Sequence, residues 1–384
     1  MRILIAHNAY QQKGGEDSVV ESESTLLRRR GNEVAVYSRH NDDIPEMSRV
    51  ALAGETVWSS RTGREFGCLV TNFRPDVIHV HNTFPLISPS LYWAATKARV
   101  PVVQTLHNFR LLCPQGTLLR EGKVCEDCVG HLPWRSVIHG CYRGSPAQSG
   151  VLATMLTVHR MAGTYRNRIG RYIALSEFCR SKFIEAGWNA RDLVVKPNFV
   201  DIAKKPDQSR AGGLYVGRLS IEKGVSVLLE AVRLFASFIL NVIGTGPLTE
   251  QVSRQSGIKV LGWQDATMVE LHMRTASFLV VPSICYETFG LTVVEAFACG
   301  TPVIASRLGS LAEIVADGVT GLLFDPGSAD DLARKIAWAS NHPDRMRQMG
   351  NRARLEYEAK YTPERNYGQL MQIYRAVMAD MPKQ

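Results

Sequence analysis

Short strand-like runs alternate with helix-like stretches along almost the whole chain, and this alternation limits the possible folds more than any other feature. Near the start, Arg2–His7 is a compact apolar run, and Ser18–Arg30 has apolar residues at intervals of three and four. The first pattern is typical of a buried strand and the second of an amphipathic helix. Strands and helices that take turns predict a parallel, doubly wound α/β sheet.

The strand candidates fall into two groups, which predicts two α/β domains of similar size. The first group continues with Glu33–Ser38, Val77–Val80, Val100–Thr105 and Tyr172–Leu175. The second group consists of Gly213–Val216, Phe238–Ile243, Lys259–Leu261, Ser277–Val281 and Pro302–Ala305. Between the groups, Lys196–Gly213 is rich in Pro, Lys, Asp and Gly, a composition typical of a linker.

We therefore predict domains at residues 1–197 and 198–364 that face each other across a cleft. A final helix at 365–384 could cross back to the first domain. A chain of 384 residues agrees with this division, because single hydrophobic cores stop growing beyond about 250–300 residues.

The stretch 282–306 carries the clearest signal of a binding site. Its sequence predicts a strand, then a loop, then a helix that begins near Leu291. The free N–H groups at a helix start favour an anion such as phosphate, and Gly290 lets the backbone approach a ligand closely. Glu287 and Glu295 flank this point, and carboxylates accept hydrogen bonds from sugar hydroxyls. The alternative, two glutamates on solvated surface without a function, stays open.

Two cations and a glycine pair follow the first two strands of the second half. Arg218 and Lys223 come after the strand at 213–216, at the carboxyl end where open α/β sheets bind ligands. Their charges could neutralise a diphosphate without a metal ion. Gly244 and Gly246 follow the next strand and can turn tightly beside the same place. Each signal is weak alone, because cations in loops are more often simply solvated.

The first half offers another glycine pair and one histidine at comparable positions. Lys13, Gly14 and Gly15 separate the first strand from the first helix, but the full glycine pattern of a dinucleotide site is missing. His107 follows a strand at its carboxyl end and faces the expected cleft. Both a functional and a structural role remain open for this histidine.

Together these motifs resemble the enzymes of glycosyltransferase family 4, which have the GT-B fold. The resemblance covers nearly the whole chain and is more specific in the second half. The matching segments there are GRLSIEKG (217–224), GTGP (244–247), the glutamates 287 and 295 with seven residues between them, and DGVTGLLF (317–324).

The resemblance implies two Rossmann-like domains, with the acceptor on the first and a sugar nucleotide on the second. It implies that Arg218 and Lys223 bind the leaving diphosphate, and that His107 and Glu287 contact the donor sugar. The full set of implied donor-binding residues is Gly14, Gly15, Gly217, Gly244, Gly246, Trp263, Phe289, Gly290, Leu291, Thr292 and Glu295.

The activity implied is that of a retaining glycosyltransferase that works without a catalytic metal. It would move a sugar from a UDP- or GDP-linked donor to a lipid-linked glycan acceptor in bacterial cell-surface polysaccharide biosynthesis. Alternatives are a nucleotide-sugar epimerase or a phosphorylase on the same fold. A basic nucleic-acid-binding protein is a further alternative, but the chain lacks a recognisable motif for reading nucleic acid.

The positive charge of the chain is unevenly distributed. Residues 1–200 contain 25 Lys and Arg against 17 Asp and Glu, whereas residues 201–384 contain 20 against 19. The excess falls on the expected acceptor domain and suggests an anionic membrane surface or lipid carrier. Arg28–Arg30 and the Arg- and Tyr-containing segment His159–Tyr172 are the candidate contacts, with a solvated helix face as the alternative.

The expected location is cytoplasmic, peripheral on the inner face of the membrane. The first residues turn polar too soon for a signal peptide. No apolar run reaches the roughly 18 residues that span a bilayer.

Four cysteines lie close together inside a segment at 108–145 that interrupts the first domain. Cys113, Cys125, Cys128 and Cys141 fall within 29 residues. A C-x-x-C pair with two flanking cysteines predicts a tetrahedral thiolate site for a structural zinc ion. His131 and His139 are alternative ligands, and four buried thiols without metal remain the other interpretation.

Overall fold

A computed structural model describes residues 1–11, 14–205, 208–234 and 239–380. The chain forms two compact units. The first comprises Met1–Thr117, Glu126–Pro197 and the described residues from 364 onward, and the second comprises Leu118–Cys125 and Asn198–Pro363. The short stretch 118–125 differs from the prediction, which placed it in the first domain. A two-stranded hairpin is only marginally stable alone, so the unit it belongs to depends on the contacts it makes.

Fourteen strands lie within the described residues. In chain order they are β1 (Arg2–Ala9), β2 (Glu33–His40), β3 (Val77–Asn82), β4 (Val102–Leu106), β5 (Leu119–Arg120), β6 (Lys123–Val124), β7 (Arg171–Ala174), β8 (Leu193–Val195), β9 (Gly213–Val216), β10 (Leu240–Ile243), β11 (Ile258–Gly262), β12 (Phe278–Val281), β13 (Val303–Ser306) and β14 (Gly321–Phe324).

Each unit is built on one six-stranded parallel sheet. The strand order is β2-β1-β3-β4-β7-β8 in the first unit and β11-β10-β9-β12-β13-β14 in the second. Adjacent strands with a described register are parallel in both sheets. The remaining pair, β5 and β6, is an antiparallel hairpin. The predicted fold class, two doubly wound α/β domains, is confirmed.

Sixteen α-helices in the described residues connect and cover these strands. They are α1 (Gly15–Arg29), α2 (Arg49–Val57), α3 (Ser60–Phe73), α4 (Ser90–Lys97), α5 (Arg135–Ile138), α6 (Pro146–Met161), α7 (Thr164–Asn167), α8 (Glu177–Glu185), α9 (Val225–Leu234), α10 (Thr249–Ser253), α11 (Ala266–Thr275), α12 (Leu291–Ala298), α13 (Gly309–Ile314), α14 (Ala329–Asn341), α15 (Pro343–Lys360) and α16 (Pro363–Ala379).

The last helix, α16, groups with the first unit from Glu364 onward, although it follows the second unit in the sequence. One contact that joins it to the first sheet is a hydrogen bond between Tyr374 Oη and His79 Nδ1 on β3, 2.7 Å long. Both side chains are fully buried.

The strands of both sheets are buried over continuous runs rather than on alternate residues. Ile3 to Ala6 on β1 are all inaccessible to solvent, as is every residue of β13 from Val303 to Ser306. Helices that cover both faces of a parallel sheet produce this pattern. The sequence analysis missed four short strands: β8 and β14 of the two large sheets, which are three and four residues long, and the two-residue hairpin strands β5 and β6. Phe238, at the start of one predicted strand, lies outside the described residues.

Two loops of the second unit interlock at a glycine. Gly244, just after β10, has a φ of +136°, and a Cβ atom there would overlap the carbonyl oxygen of Gly217, just after β9. Leu219 N–H donates a hydrogen bond of 3.0 Å to Thr245 O across the same contact. The tight turn predicted at Gly244 therefore sets the position of the loop that carries Arg218.

We expect Gly244→Ala to destabilise the second unit. The left-handed backbone costs about 1–2 kcal/mol in an L-residue, and the overlap with Gly217 adds about 1–3 kcal/mol. Gly318→Ala is the matched control, because Gly318 also has a positive φ, +72°, but open space at its Cβ. Thermal unfolding followed by fluorescence should show a clearly larger decrease in melting temperature for Gly244→Ala than for Gly318→Ala. Equal losses in the two variants would contradict the interlocking of the loops.

Candidate functional site

The second unit brings together Lys223 and Glu287, which the sequence analysis selected in separate motifs. Strands β9 and β12 are parallel neighbours, so the loops that follow them leave the same edge of the sheet. Lys223 Nζ donates to Glu287 Oε1 at 2.7 Å, and Ser283 Oγ donates to the same oxygen at 2.7 Å. The Glu287 carboxylate is thus held by one cation and one hydroxyl.

Lys223 and Glu287 each keep the other ionised. Burial alone would raise the pKa of Glu287, but the Lys223 ammonium and the Ser283 hydroxyl together outweigh burial and lower that pKa. Burial alone would lower the pKa of Lys223, and Glu287 more than reverses this effect. The Lys223 side chain is still 37% exposed, so an incoming anion can compete with Glu287 for it.

Arg218 has its backbone fixed and its side chain at the surface. Tyr215 Oη donates to the Arg218 carbonyl oxygen at 2.8 Å. Arg218 itself is exposed, so its guanidinium stands where an anion in solution can reach it. This arrangement fits the predicted role of a diphosphate contact without testing it.

Helix α12 begins at Leu291 as predicted, and Gly290 caps it with a φ of +127°. Phe289 is buried and Thr292 is half-buried at this helix start. Ser310 Oγ donates to the carbonyl oxygens of Glu287, at 2.8 Å, and Phe289. The sequence analysis missed Ser310, because a serine on the next helix gives no local signal of this contact.

Glu295 lies one turn inside α12 and is half-buried. Burial raises the pKa of this carboxyl to about 7. A group with such a pKa changes its charge near neutral pH, and perturbed carboxyls of this kind cluster at functional sites.

The other predicted donor-binding residues of the second unit lie on the loops after β9, β10 and β11. Gly244 N–H donates to Gly262 O at 2.8 Å, which ties two of these loops together. A Cβ on Gly246 would overlap backbone atoms of Leu219. Trp263 follows β11 and is 72% exposed, so its indole ring is open to a planar ligand.

In the first unit, the glycine pair forms the start of α1. Gly14 caps the helix, and its N–H donates to Asp17 Oδ2 at 2.7 Å. Asp17 Oδ1 also lies 2.8 Å from His7 Nε2. The Asp17 carboxylate therefore satisfies the N–H of the capping residue, and donor binding at Gly14 and Gly15 stays a prediction. Gly15 is the first residue of α1 and has open space at its Cβ position. Lys13 lies outside the described residues.

His107 follows β4 as predicted and has a histidine partner that the sequence analysis missed. His107 Nε2 lies 2.9 Å from Nδ1 of His81, which is on β3. The signal that could have revealed it is the pair His79 and His81 inside a buried apolar strand, where imidazoles need polar partners.

Those two histidines belong to a buried charged cluster. Over the described ranges, one group of possible ligand atoms lies within 4.8 Å of one another, and it comes from Glu23, His79 and His81. Lys196 Nζ donates to Glu23 Oε2 at 3.2 Å, and both side chains are almost inaccessible. The Lys196 ammonium already neutralises the carboxylate, which disfavours a divalent cation in the same place.

The four cysteines lie in a segment with little regular structure. Cys113 and Cys128 are buried, whereas Cys125 and Cys141 are half-buried. The alternative ligands His131 and His139 are exposed. The zinc site stays a prediction.

Several basic side chains of the segment 159–172 make internal contacts, so they are not simply solvated, and a membrane-facing role of the segment stays a prediction. His159 is buried and contacts Thr164 Oγ1 and Val57 O. Arg160 donates to carbonyl oxygens of two other segments, and the Arg168 guanidinium stacks on the Trp93 ring. Helix periodicity cannot show these partners, because they come from distant parts of the chain. Over the described residues, no helix has both the length and the apolar character needed to cross a bilayer.

Comparison with protein families identifies two matching models. One described as Glycosyltransferase Family 4 matches residues 13–204, which is half of the chain, and one described as Glycosyl transferases group 1 matches residues 202–356. The chain is 27% identical to a phosphatidyl-myo-inositol mannosyltransferase of Mycobacterium leprae, over 98% of this chain and 97% of that protein. It is 36% identical to an uncharacterized glycosyltransferase of Methanocaldococcus jannaschii, but the match spans only 42% of this chain and 47% of that protein.

Solved structures share the fold across nearly the whole chain. The HepE protein of Anabaena in complex with UDP superposes with a TM-score of 0.68 at 20% identity, covering 98% of this chain and 100% of that one. Sucrose-phosphate synthase from Thermosynechococcus elongatus superposes with a TM-score of 0.71 at 20% identity, covering 98% and 99%. The predicted GT-B fold and glycosyltransferase activity are confirmed. These matches do not support the alternative interpretation as a nucleic-acid-binding protein.

Proposed function

Because the chain belongs to glycosyltransferase family 4, we propose that it is a retaining enzyme that moves a sugar from a nucleotide-diphosphate donor to a lipid-linked glycan. The observation that carries the donor assignment is the Lys223–Glu287 contact beside the start of α12. A cation, free helix N–H groups and two carboxylates at one sheet edge suit a diphosphate joined to sugar hydroxyls. The solved relatives with bound UDP and UDP-glucose favour a UDP-linked donor over a GDP-linked one.

Arg218 and Lys223 would stabilise the leaving diphosphate. Negative charge develops on that group as the glycosidic bond breaks, and fixed cations at that point lower the barrier. When the diphosphate takes Lys223, the Glu287 carboxylate becomes available to accept hydrogen bonds from the donor sugar. Ser283 and Ser310 would hold the Glu287 side chain and backbone in place during this exchange.

We expect the double variant Arg218→Ala, Lys223→Ala to lose turnover by about a hundredfold or more, since one group that stabilises transition-state charge is worth this much. Release of nucleoside diphosphate from a sugar nucleotide measures the rate. The matched control is Arg254→Ala, Lys259→Ala, which removes the same charges from exposed positions of the same unit. Near-normal turnover in the first double variant, with its melting temperature unchanged, would contradict the proposal that Arg218 and Lys223 stabilise the leaving diphosphate.

Donor binding should also depend on the ionisation of Glu295. The ionised carboxylate accepts hydrogen bonds from ribose hydroxyls more strongly than the neutral acid does. The Kd for UDP-glucose should therefore fall as the pH rises through about 7, where Glu295 ionises, and a change of about tenfold is expected for one charge-assisted bond. Calorimetry at several pH values measures it. Glu295→Gln should abolish this dependence and Glu250→Gln, at an exposed position, should keep it; an unchanged profile in Glu295→Gln contradicts the assignment.

A cavity in the first unit is the proposed site of the acceptor. It has a volume of about 580 Å³ and lies at the carboxyl ends of β1 and β2, against α1. Its lining includes His7, Tyr10, Asp17, Arg28 and His40. A lining that contains both hydrogen-bond donors and hydrogen-bond acceptors suits the hydroxyl groups of a glycan.

The lipid-linked nature of the acceptor is supported by an exposed apolar surface on the same unit. Trp134, Ile138 and Met161 are 55%, 67% and 82% exposed on α5 and α6 or beside them. Leu132, also exposed, follows His131, whose carbonyl oxygen accepts from Arg160 at the end of α6. Arg135 on α5 is also exposed. Large apolar side chains beside an exposed arginine bind anionic bilayers by burial and charge together. A function in cell-surface polysaccharide biosynthesis agrees with such an acceptor.

The wild-type protein should float with anionic vesicles and much less with neutral ones. Trp134→Ser together with Ile138→Ser should reduce flotation by about tenfold or more, because each buried side chain contributes about 1.5–3 kcal/mol. The matched control is Leu234→Ser with Leu355→Ser, which removes exposed apolar side chains of the second unit. Equal flotation with neutral and anionic vesicles, or equal losses of flotation in both double variants, would contradict the proposal that this surface binds a membrane.

A further inference from the structure

The cavity of the first unit is an elongated groove along helix α1. Its lining comes from residues 7 to 40 alone, so the groove lies within one unit. One face of α1 forms the first wall, because the lining residues Asp17, Val20, Ser24 and Arg28 recur at intervals of three and four. Each of them lies about one helical turn from the next, so the wall extends about 16 Å from Asp17 to Arg28.

Strand β2, at the edge of the sheet, forms the opposite wall. At one end of this wall, Arg28 Nη2 donates a hydrogen bond of 3.2 Å to Val34 O. Val36 lines the middle of the wall. His40 lines the other end, where it pairs in register with Ala9 of β1. The groove therefore has polar groups at both ends and apolar surface between them.

Two buried side chains of the lining have a polar atom that lacks a hydrogen-bond partner among the described residues. These atoms are His7 Nδ1 and Ser24 Oγ, and each of the two residues is 4% exposed. Buried polar groups are normally satisfied, because an unpaired one destabilises the fold. A ligand that brings hydroxyl groups into the groove can pair both atoms.

The contact with Asp17 decides what His7 can bind. Burial alone would raise the pKa of the Asp17 carboxyl, but its contacts with His7, Gly14 and Tyr10 outweigh burial and lower that pKa. The ionised carboxylate only accepts hydrogen bonds, so the proton of His7 lies on Nε2, 2.8 Å from Asp17 Oδ1. His7 Nδ1 then accepts a hydrogen bond in the neutral ring and donates one in the charged ring. A hydroxyl group is a suitable partner in both states.

The two ends of the groove differ in charge. Asp17 and Glu21 line the end at the carboxyl edge of the sheet, whereas Arg28 lines the other end and is exposed. A guanidinium has five N–H donors, of which the bond to Val34 O uses one. The partial charge of about −0.5 at the end of a helix is smaller than the full charge of Arg28. An anionic group is therefore repelled at the first end and attracted at the second.

We propose that this groove binds a glycan longer than one sugar ring, whose hydroxyl groups pair with His7 and Ser24 and whose anionic group lies at Arg28. That this glycan is the acceptor rests on the proposed function, whereas the site and its polarity do not. The volume of about 580 Å³ agrees with such a ligand. The neutral end of the glycan then lies at the carboxyl edge of the sheet, where open α/β folds bind their reactants.

The test is a titration of the full chain, without donor, with a panel of disaccharides that are each present with and without a phosphate group. Glucose 1-phosphate and inorganic phosphate complete the panel. Ring-nitrogen chemical shifts of His7 in histidine-labelled protein report binding in the groove itself. Phosphorylated disaccharides should bind about tenfold more tightly than their neutral counterparts, as one hydrogen bond to a charged group provides. They should also bind more tightly than glucose 1-phosphate and inorganic phosphate.

Arg28→Gln should remove the advantage of the phosphorylated disaccharides and leave the affinity for the neutral ones unchanged. The matched control is Arg64→Gln, which removes an exposed arginine of α3 and should keep the advantage. Equal affinities in the wild type, or an advantage that survives Arg28→Gln, overturn the proposal. It is also overturned if Arg28→Gln reduces flotation with anionic vesicles but not the binding of phosphorylated disaccharides, because Arg28 then contacts a lipid headgroup.

Ser24→Ala distinguishes a ligand contact from a structural role. The variant removes a hydroxyl without a partner among the described residues, so its melting temperature should not fall. Its affinity for neutral and phosphorylated disaccharides should fall together, by about threefold to tenfold for one hydrogen bond. Ser22→Ala, at an exposed position of the same helix, is the matched control and should change neither quantity. Unchanged affinity in Ser24→Ala overturns the hydroxyl contact, whatever its melting temperature.

This proposal and the proposed function fail in different ways. If the protein binds phosphorylated disaccharides in the groove but transfers no sugar to any glycan, the site stands and the proposed function is wrong. If sugar is transferred equally well to neutral and phosphorylated glycans, and Arg28→Gln changes neither rate, the transferase function stands and the anionic end of the groove is overturned.

Discussion

The contact between Lys223 and Glu287 in the second unit and the contact between His81 and His107 in the first both depend on the parallel pairing of neighbouring strands. In the second unit β9 lies between β10 and β12, so three loops that are far apart in the sequence start from one edge. The contact of Lys223 with Glu287 and the interlocking of Gly217 with Gly244 are consequences of this arrangement. The first unit repeats it with β3 beside β4, which sets His81 against His107.

The two units use ion pairs in physically different ways. Lys196 and Glu23 are almost inaccessible, so separating them would leave an uncompensated charge in the interior, a cost of several kcal/mol. Such a pair is permanent, and it can serve only to hold other groups. Lys223 is partly exposed, and its contact with Glu287 can be exchanged for a ligand at a smaller cost. The first pair is therefore a structural element of the interior, whereas the second can take part in the proposed binding of a donor diphosphate.

The sequence predicted the local elements around the proposed donor site well and the contacts that support them poorly. The start of α12 at Leu291, the capping glycine before it and the turn at Gly244 all follow from local rules about helices and glycine. Ser283 and Ser310 did not stand out, because a serine has no local pattern that distinguishes a structural hydroxyl from a solvated one. In the segment 159–172 the pattern of charges is visible in the sequence, whereas the groups that Arg160 and Arg168 contact are not.

The sequence by itself determined the two parallel sheets, the position of the linker and the residues that follow each strand, because hydrophobic periodicity and glycine chemistry act over short distances. Only the tertiary structure decided that Lys196 pairs with Glu23, that His81 contacts His107 and that α16 groups with the first unit. The physical reason is that hydrogen bonds and charge compensation in a buried site depend on distances of about 3 Å. Those distances exist only after segments that are tens to hundreds of residues apart in the sequence have packed together.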